Sequence, residues 1–244
     1  MYKRQYKGYT AIRERRSDAI SDYHGMQLYA TKRQGDLVLT ASYTLSRVQT
    51  NASGIGDNPE DPFNIDFNYG PASFDRRHVA VFTYTYMIPF MRDRGGVLGS
   101  TLGGWEVSGI TRFQSGQYFT VTGDTSIGNR RADYTGAEIQ LPESERTVLR
   151  WFNTQAFAIA PADRRGNGEV GQILGPGVQL WDLSLRKRFN VTQRINAAFQ
   201  ADFFNAFNLV NYTGLSTNIS SANYGAVTTS APARNIQLGL KLTF

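Results

Sequence analysis

The sequence predicts an all-β protein: an antiparallel up-and-down transmembrane β-barrel, of which this chain supplies about seven strands. Three observations predict it. Seven stretches of the 244 residues alternate apolar and polar side chains with a period of two. The links between those stretches are short and long in turn. The last stretch stops on an aromatic residue with no polar tail behind it. No apolar run approaches the ~18 residues of a membrane-crossing helix, whereas barrel strands hide their apolar content by alternation.

The first strand is expected over 23–32, with Met26, Leu28 and Ala30 on one face. After a turn at 33–36 the second runs over 37–48. There Leu37, Leu39, Ala41, Tyr43 and Leu45 alternate with Val38, Thr40, Ser42, Thr44 and Ser46. The third, 77–89, sets Ala80, Phe82, Tyr84, Tyr86 and Ile88 against Val79, Val81, Thr83 and Thr85. The fourth, 104–122, opens with Trp105, Val107, Gly109, Thr111 and Phe113, and Gly116 marks a kink that splits it into two halves.

The fifth strand, 179–189, sets Trp181, Leu183, Leu185 and Phe189 against Asp182, Ser184, Arg186 and Arg188. The sixth, 193–207, sets Ile195, Ala197, Phe199, Ala201 and Phe203 against Asn196, Ala198, Gln200 and Asp202. In the seventh, Ile236, Leu238, Leu240, Leu242 and Phe244 point one way and Asn235, Gln237, Gly239, Lys241 and Thr243 the other. Several reach the ~9–11 residues that a tilted strand needs to cross a bilayer.

The links are the stronger argument. In order they span 33–36, 49–76, 90–103, 123–178, 190–192 and 208–233. Counting back from Phe244, every short link falls on one side of the membrane, as tight periplasmic turns and large external loops require. A soluble sandwich gives no reason for that parity. Aromatics at strand ends, namely Tyr23, Tyr86, Phe90, Trp105, Tyr118, Trp181, Phe189, Phe207 and Tyr212, suit girdles at the two interfaces.

Composition narrows the function classes. The net charge is +6, but basic residues lie in scattered pairs (Lys32/Arg33, Arg76/Arg77, Arg130/Arg131, Arg164/Arg165) with no nucleic-acid-binding motif. No nucleic-acid partner is expected. The absence of Cys removes disulfide, zinc-thiolate and Cys-nucleophile chemistry. No signal peptide opens the chain, so an exported protein of this kind is expected to begin upstream.

The segment Tyr69 to His78 (Gly70, Ser73, Phe74, Asp75, Arg77, His78), followed by a strand ending near Pro89, resembles a known family. So do Ser21–Gln27, Ala41–Ser46, Gly104–Ile110, Gln114–Val121, Trp151–Phe157 and Phe203–Asn208. The chain is similar, from Ser21 to Phe244, to the C-terminal barrel of TonB-dependent receptors, in particular the Oar-like group with carboxypeptidase-regulatory-like domains.

The resemblance implies a ~22-stranded barrel with a plug in its lumen. It implies a place in the bacterial outer membrane and uptake of an unknown bulky solute, energised by the TonB complex. It also implies partners beyond this chain: the remaining strands, the plug domain, outer-membrane lipid and the barrel-assembly machinery. Residues 1–22 are then an external loop remnant and 23–244 the barrel part. Ile236, Leu238, Leu240, Leu242 and Phe244 match the terminal signal that the assembly machinery reads. Alternatives are a passive barrel or adhesin without TonB coupling, and a soluble β-rich binding domain.

Candidate sites follow from position. Asp182, Arg186, Arg188, Gln200 and Asp202 are expected on a polar inner wall, some touching the plug. Tyr134 and Trp151, in the longest link, are expected to meet the solute at the barrel mouth. The acidic stretch 57–66 offers oxygen ligands but lacks calcium-loop spacing and reads as a solvated external loop. His24 and His78 are the only histidines and have no nucleophile motif beside them, so neither catalysis nor a metal or cofactor is expected. Asp75 to His78 reads as a charge cluster that fixes a loop at a strand start.

Overall fold

Seven long strands form one continuous antiparallel sheet in the computed structural model, which describes residues 15–55, 57–125, 128–190 and 195–244. They are β1 (Ser21–Gln34), β2 (Leu37–Thr50), β3 (His78–Met87), β4 (Trp105–Gln114), β5 (Val178–Asn190), β6 (Asn196–Phe204) and β7 (Asn235–Thr243). Each pairs with the next in sequence, so the spatial order is the chain order. Gly70–Pro71 adds a short eighth piece beside the outer end of β2.

The register starts at a two-residue hairpin. Gln34 faces Leu37, and Gly35 takes the positive φ of 55° that such a tight turn favours. From there the alternation keeps one phase across every strand. Leu39, Tyr84, Gly109, Leu183, Phe203 and Ile236 are successive partners in a single cross-strand row. The row beside it reads Ser108, Ser184, Asp202 and Gln237. A slip of one residue anywhere would exchange the two faces, so the apolar pattern of seven separate segments fixes one sheet.

The buried hydrophobic cluster does not lie under the sheet. It is built from Val121, Ala132, Phe152, Ala156, Phe157, Ile173 and Leu215, all in the links that follow β4 and β6. Phe152 is fully buried, with Phe157 and Tyr224 edge-on to its ring at 6.4 and 5.5 Å. Short ladders frame this cluster: Asp133–Tyr134 with Phe157–Ala158, Tyr118–Phe119 with Ile173–Leu174, and Tyr212–Leu215 with Val227–Ser230. The long links are therefore packed into a cap. By contrast β1 and β7 are exposed along their whole length, and both sheet edges are open among the described residues.

Several expectations change. The fourth strand leaves the sheet at Gln114, and Tyr118–Phe119 belongs to the cap. At Gly116 the chain passes so near the carbonyl of Gly175 that any Cβ would collide with it, which turns the backbone away from the sheet. The sixth strand ends at Phe204, because Asn205 takes a positive φ of 50°. Asn190 of the expected 190–192 turn is still paired at the end of β5, while 191–192 and the sixth strand's first two positions lie outside the described residues. The first fourteen residues of the expected 1–22 loop also lie outside them.

Candidate functional site

Two faces and one cap make up the site. The apolar face carries Met26, Leu28, Leu39, Phe82, Leu183, Leu185, Phe199 and Leu240 in register, with Met26, Leu28 and Leu240 exposed and the others half-buried. Near the external end Phe82, Phe113, Trp181 and Phe207 form an unbroken edge-to-face chain, with centroids 6.2, 5.7 and 5.4 Å apart. At the other end Trp105 meets Phe199 at 6.3 Å. Trp105 to Phe113 on β4 and Trp181 to Phe189 on β5 each span eight residues. Eight residues rise ~27 Å along a strand, or ~21 Å along the membrane normal at a tilt of ~40°, close to the ~25 Å apolar band of an outer-membrane barrel.

Trp105, Trp181, Phe189 and Phe207 thus belong to the girdles, and Tyr86 lies on the same face. Phe90 lies exposed in the link beyond β3, and three expected members leave that face. Tyr23 alternates onto the opposite face, while Tyr118 and Tyr212 sit in the cap, Tyr212 against Trp151 at 6.5 Å. Aromatic content near a strand end did not say which way each ring turns.

Sequence reasoning passed over Lys187. It occupies the lipid-side phase of β5, between Leu185 and Phe189, yet it is only 1% exposed. The link after β3 covers it with a short helix, α1 (Gly96–Leu102). The Lys187 ammonium donates to the carbonyl of Thr101 at 2.9 Å and to that of Gly103, at the helix C-terminus. The Trp105 indole N–H donates to Thr101 as well. A cation satisfying the last carbonyls of a helix suits both the hydrogen-bond deficit and the dipole there. The only signal in the sequence was a lone charge interrupting an apolar row.

The polar face collects the expected inner-wall residues. Asp182, Arg186, Arg188, Gln200 and Asp202 all share its phase. Arg186 donates to Gln200 Oε1 at 3.2 and 2.8 Å, and Gln200 donates to Asp202 at 2.9 and 2.8 Å. Glu106 lies across from Arg186 at 4.0 Å. Asp182 is used differently, accepting the backbone N–H of Asn205 at 2.9 Å and so anchoring the start of the next link.

The cap joins the external links. Arg131, 8% exposed, pairs with Glu60 at 3.0 Å and stacks over Phe67 at 3.7 Å. Arg165 pairs with Asp61 at 3.0 Å. Asp57 accepts the N–H groups of Ser53 and Gly54 at 2.6 and 2.9 Å. Within the acidic stretch Glu60 and Asp61 thus clamp their link to the one after β4, while Asp57 bonds within its own link and Asp57 and Asp66 stay exposed, as a solvated external loop would have them.

Tyr134 is half-buried on the cap core beside Phe157. Trp151 packs on the same core and donates its indole N–H to Leu174 at 3.0 Å. Of the Asp75–His78 group, Asp75 is buried at the cap's base. Burial pushes its carboxyl up, against backbone N–H bonds from Val48 and Arg76 and two nearby guanidinium charges. Arg76 donates to Gln117 at 2.7 Å. His78 lies 2.7 Å from the Tyr43 hydroxyl, so the expected cluster does tie a strand start to its surroundings. His24 faces Arg47 across β1 and β2, two residues outward of the row that holds Leu45 and His78.

A sheet with one apolar face bounded by two aromatic girdles, one polar face and a cap on one end is the wall of a transmembrane β-barrel. No helix among the described residues is long and apolar enough to cross a membrane. Comparison with protein families gives a match to the outer membrane beta barrel domain over residues 2–237. The chain belongs to that family, and its place is the bacterial outer membrane. Comparison with curated proteins and with solved structures gives no match.

Proposed function

We propose that this chain is the C-terminal wall of a TonB-dependent outer-membrane receptor that imports a bulky solute. In this reading the cap captures the solute, a plug fills the lumen against the polar face, and energy comes from the inner membrane. The chain itself performs no covalent chemistry. The resemblance from Ser21 to Phe244 supports the assignment to TonB-dependent receptors.

The observation that carries it is the open sheet. Seven antiparallel strands make β1 and β7 run the same way, from the external side to the periplasmic side. Joining β1 to β7 directly would force a parallel junction, and so would a ring of identical copies. An odd number of further antiparallel strands closes the wall with antiparallel pairs throughout, as barrels of this membrane normally do. That parity admits the ~22-stranded, plugged barrel that the resemblance implies.

Uptake decides it. Cells making the full-length protein are given mixtures of fluorescent peptides and oligosaccharides, with the TonB complex intact or disabled. The expected result is accumulation that disappears when TonB is disabled. Accumulation that persists assigns a passive barrel instead, and surface binding without uptake assigns an adhesin.

A further inference from the structure

The link after β6 does not rise directly into the cap. Residues 205–211 first bend across the apolar face, held by two asparagines. Asn205, at a φ of 50°, accepts the N–H of Leu209 at 2.9 Å and donates to its carbonyl at 2.9 Å. Asn211 accepts the N–H of Gln179 at 2.7 Å and donates to its carbonyl at 2.9 Å, copying a strand pair at the outer end of β5. Asn208 adds a second positive φ, 53°. This geometry presents Phe207, Leu209 and Val210 toward the membrane, with Val210 67% exposed.

Between that ledge and β2–β3 lies a groove of about 650 Å³. Its floor is Ala80 and Phe113, with Tyr43 and His78 on one side and Leu209 and Val210 on the other. The size is that of an ordinary ligand cleft, as is the mix of apolar lining with a few polar groups. The ledge makes it unlike the smooth face beneath it, where neighbouring strands offer only rows of side chains.

Two histidines and an arginine stand above the groove on the same face. His78 is two residues outward of Ala80 on β3, and it faces Leu45. Arg47 lies two residues further out on β2, opposite His24. Each two-residue step is ~7 Å, so Arg47 sits ~13 Å outward of the floor, beyond the aromatic girdle. None of the ion pairs among the described residues uses Arg47. Asp22, one step further out, is bonded by the Tyr69 hydroxyl at 2.6 Å.

We propose that this groove is a specific site for a phosphorylated lipid of the outer leaflet. One acyl chain lies along Ala80, Phe113 and Val210, and a phosphate oxygen meets Arg47 with His24 and His78 beside it. The guanidinium fork matches phosphate geometry. The clamps at Asn205 and Asn211 hold the ledge in place before the lipid arrives, which limits the ordering cost of binding.

The test uses the full-length protein in detergent and native mass spectrometry. It is offered a bisphosphorylated, acylated glucosamine disaccharide, its dephosphorylated form, and a phosphatidylethanolamine. The native protein is expected to retain one bisphosphorylated molecule in preference to the other two. Arg47→Glu should weaken that retention about tenfold or more, as loss of a charge-assisted contact does, and leave the dephosphorylated form unaffected. Val210→Asp, at an exposed position, should weaken both glycolipids. Equal retention of all three lipids, or retention within twofold of native in both variants, overturns the proposal.

Discussion

Replacing Lys187 with methionine is expected to release helix α1 from the barrel wall while leaving the strands paired. The ammonium makes two charge-assisted bonds, to the carbonyls of Thr101 and Gly103, and lies over Trp105 and Phe189 at 5.2 and 5.0 Å. Methionine keeps most of the volume but donates nothing, so two helix-end carbonyls lose a buried partner at ~1–3 kcal/mol each. Removing the cation also relieves its own desolvation, which opposes that loss. Thr101 keeps the Trp105 indole as a donor. A net local destabilisation of ~2 kcal/mol follows, or ~30-fold faster opening of residues 96–103.

Amide hydrogen exchange on the detergent-solubilised protein measures it, through the Gly103 N–H that bonds to Gly99 and its neighbours in α1. The β4 and β5 amides serve as the internal control. Exchange of 96–103 within twofold of the native rate would refute the idea that Lys187 holds the helix. Arginine at 187 should restore part of the protection, since it donates at the same place with a different reach.

Other consequences are more direct. Leu240→Arg, in mid-strand on the lipid face beside Phe199, should cost ~2–4 kcal/mol and lower the folded fraction in a gel-shift refolding assay. Gly239→Ser on the opposite face should be near neutral in that assay, since a side chain there meets only one backbone oxygen at van der Waals distance. Phe152→Ala should destabilise the cap by ~3–5 kcal/mol, so that proteolysis opens the link after β4 while the sheet stays intact.

The cap should also respond to acid. The Arg164 guanidinium, bonded to Asp133 at 2.5 and 2.7 Å, holds that carboxyl below the usual range. Its contribution is full above the ordinary Asp value and is lost as pH falls through the depressed one. Exchange at Asp133–Tyr134 should therefore rise in that acid window, and Asp133→Asn should remove the rise.

The strands were legible in the sequence because each alternates on its own. The cap was not. Phe152, Ile173 and Leu215 are far apart along the chain and carry no shared period, so composition marked 123–178 only as a long link. Gly116 was correctly marked as a break. Which side of it stayed in the sheet depended on Gly175, nearly sixty residues away. That Tyr134 and Trp151 also pack on the cap core was hidden for the same reason, since their partners there are distant in sequence.

The sequence by itself determined the phase of seven strands, and with it one membrane face, one polar face and the sidedness of every link. A period of two is a local property, and each strand states it independently. Only the tertiary structure decided how the links use their side chains. It put a lysine from the lipid-side row under a helix and turned two carboxylates of an acidic loop into inter-loop clamps. It also leaned 205–211 across the outer face to make a groove. Those outcomes depend on which residues meet from different links, and no local pattern encodes such a meeting.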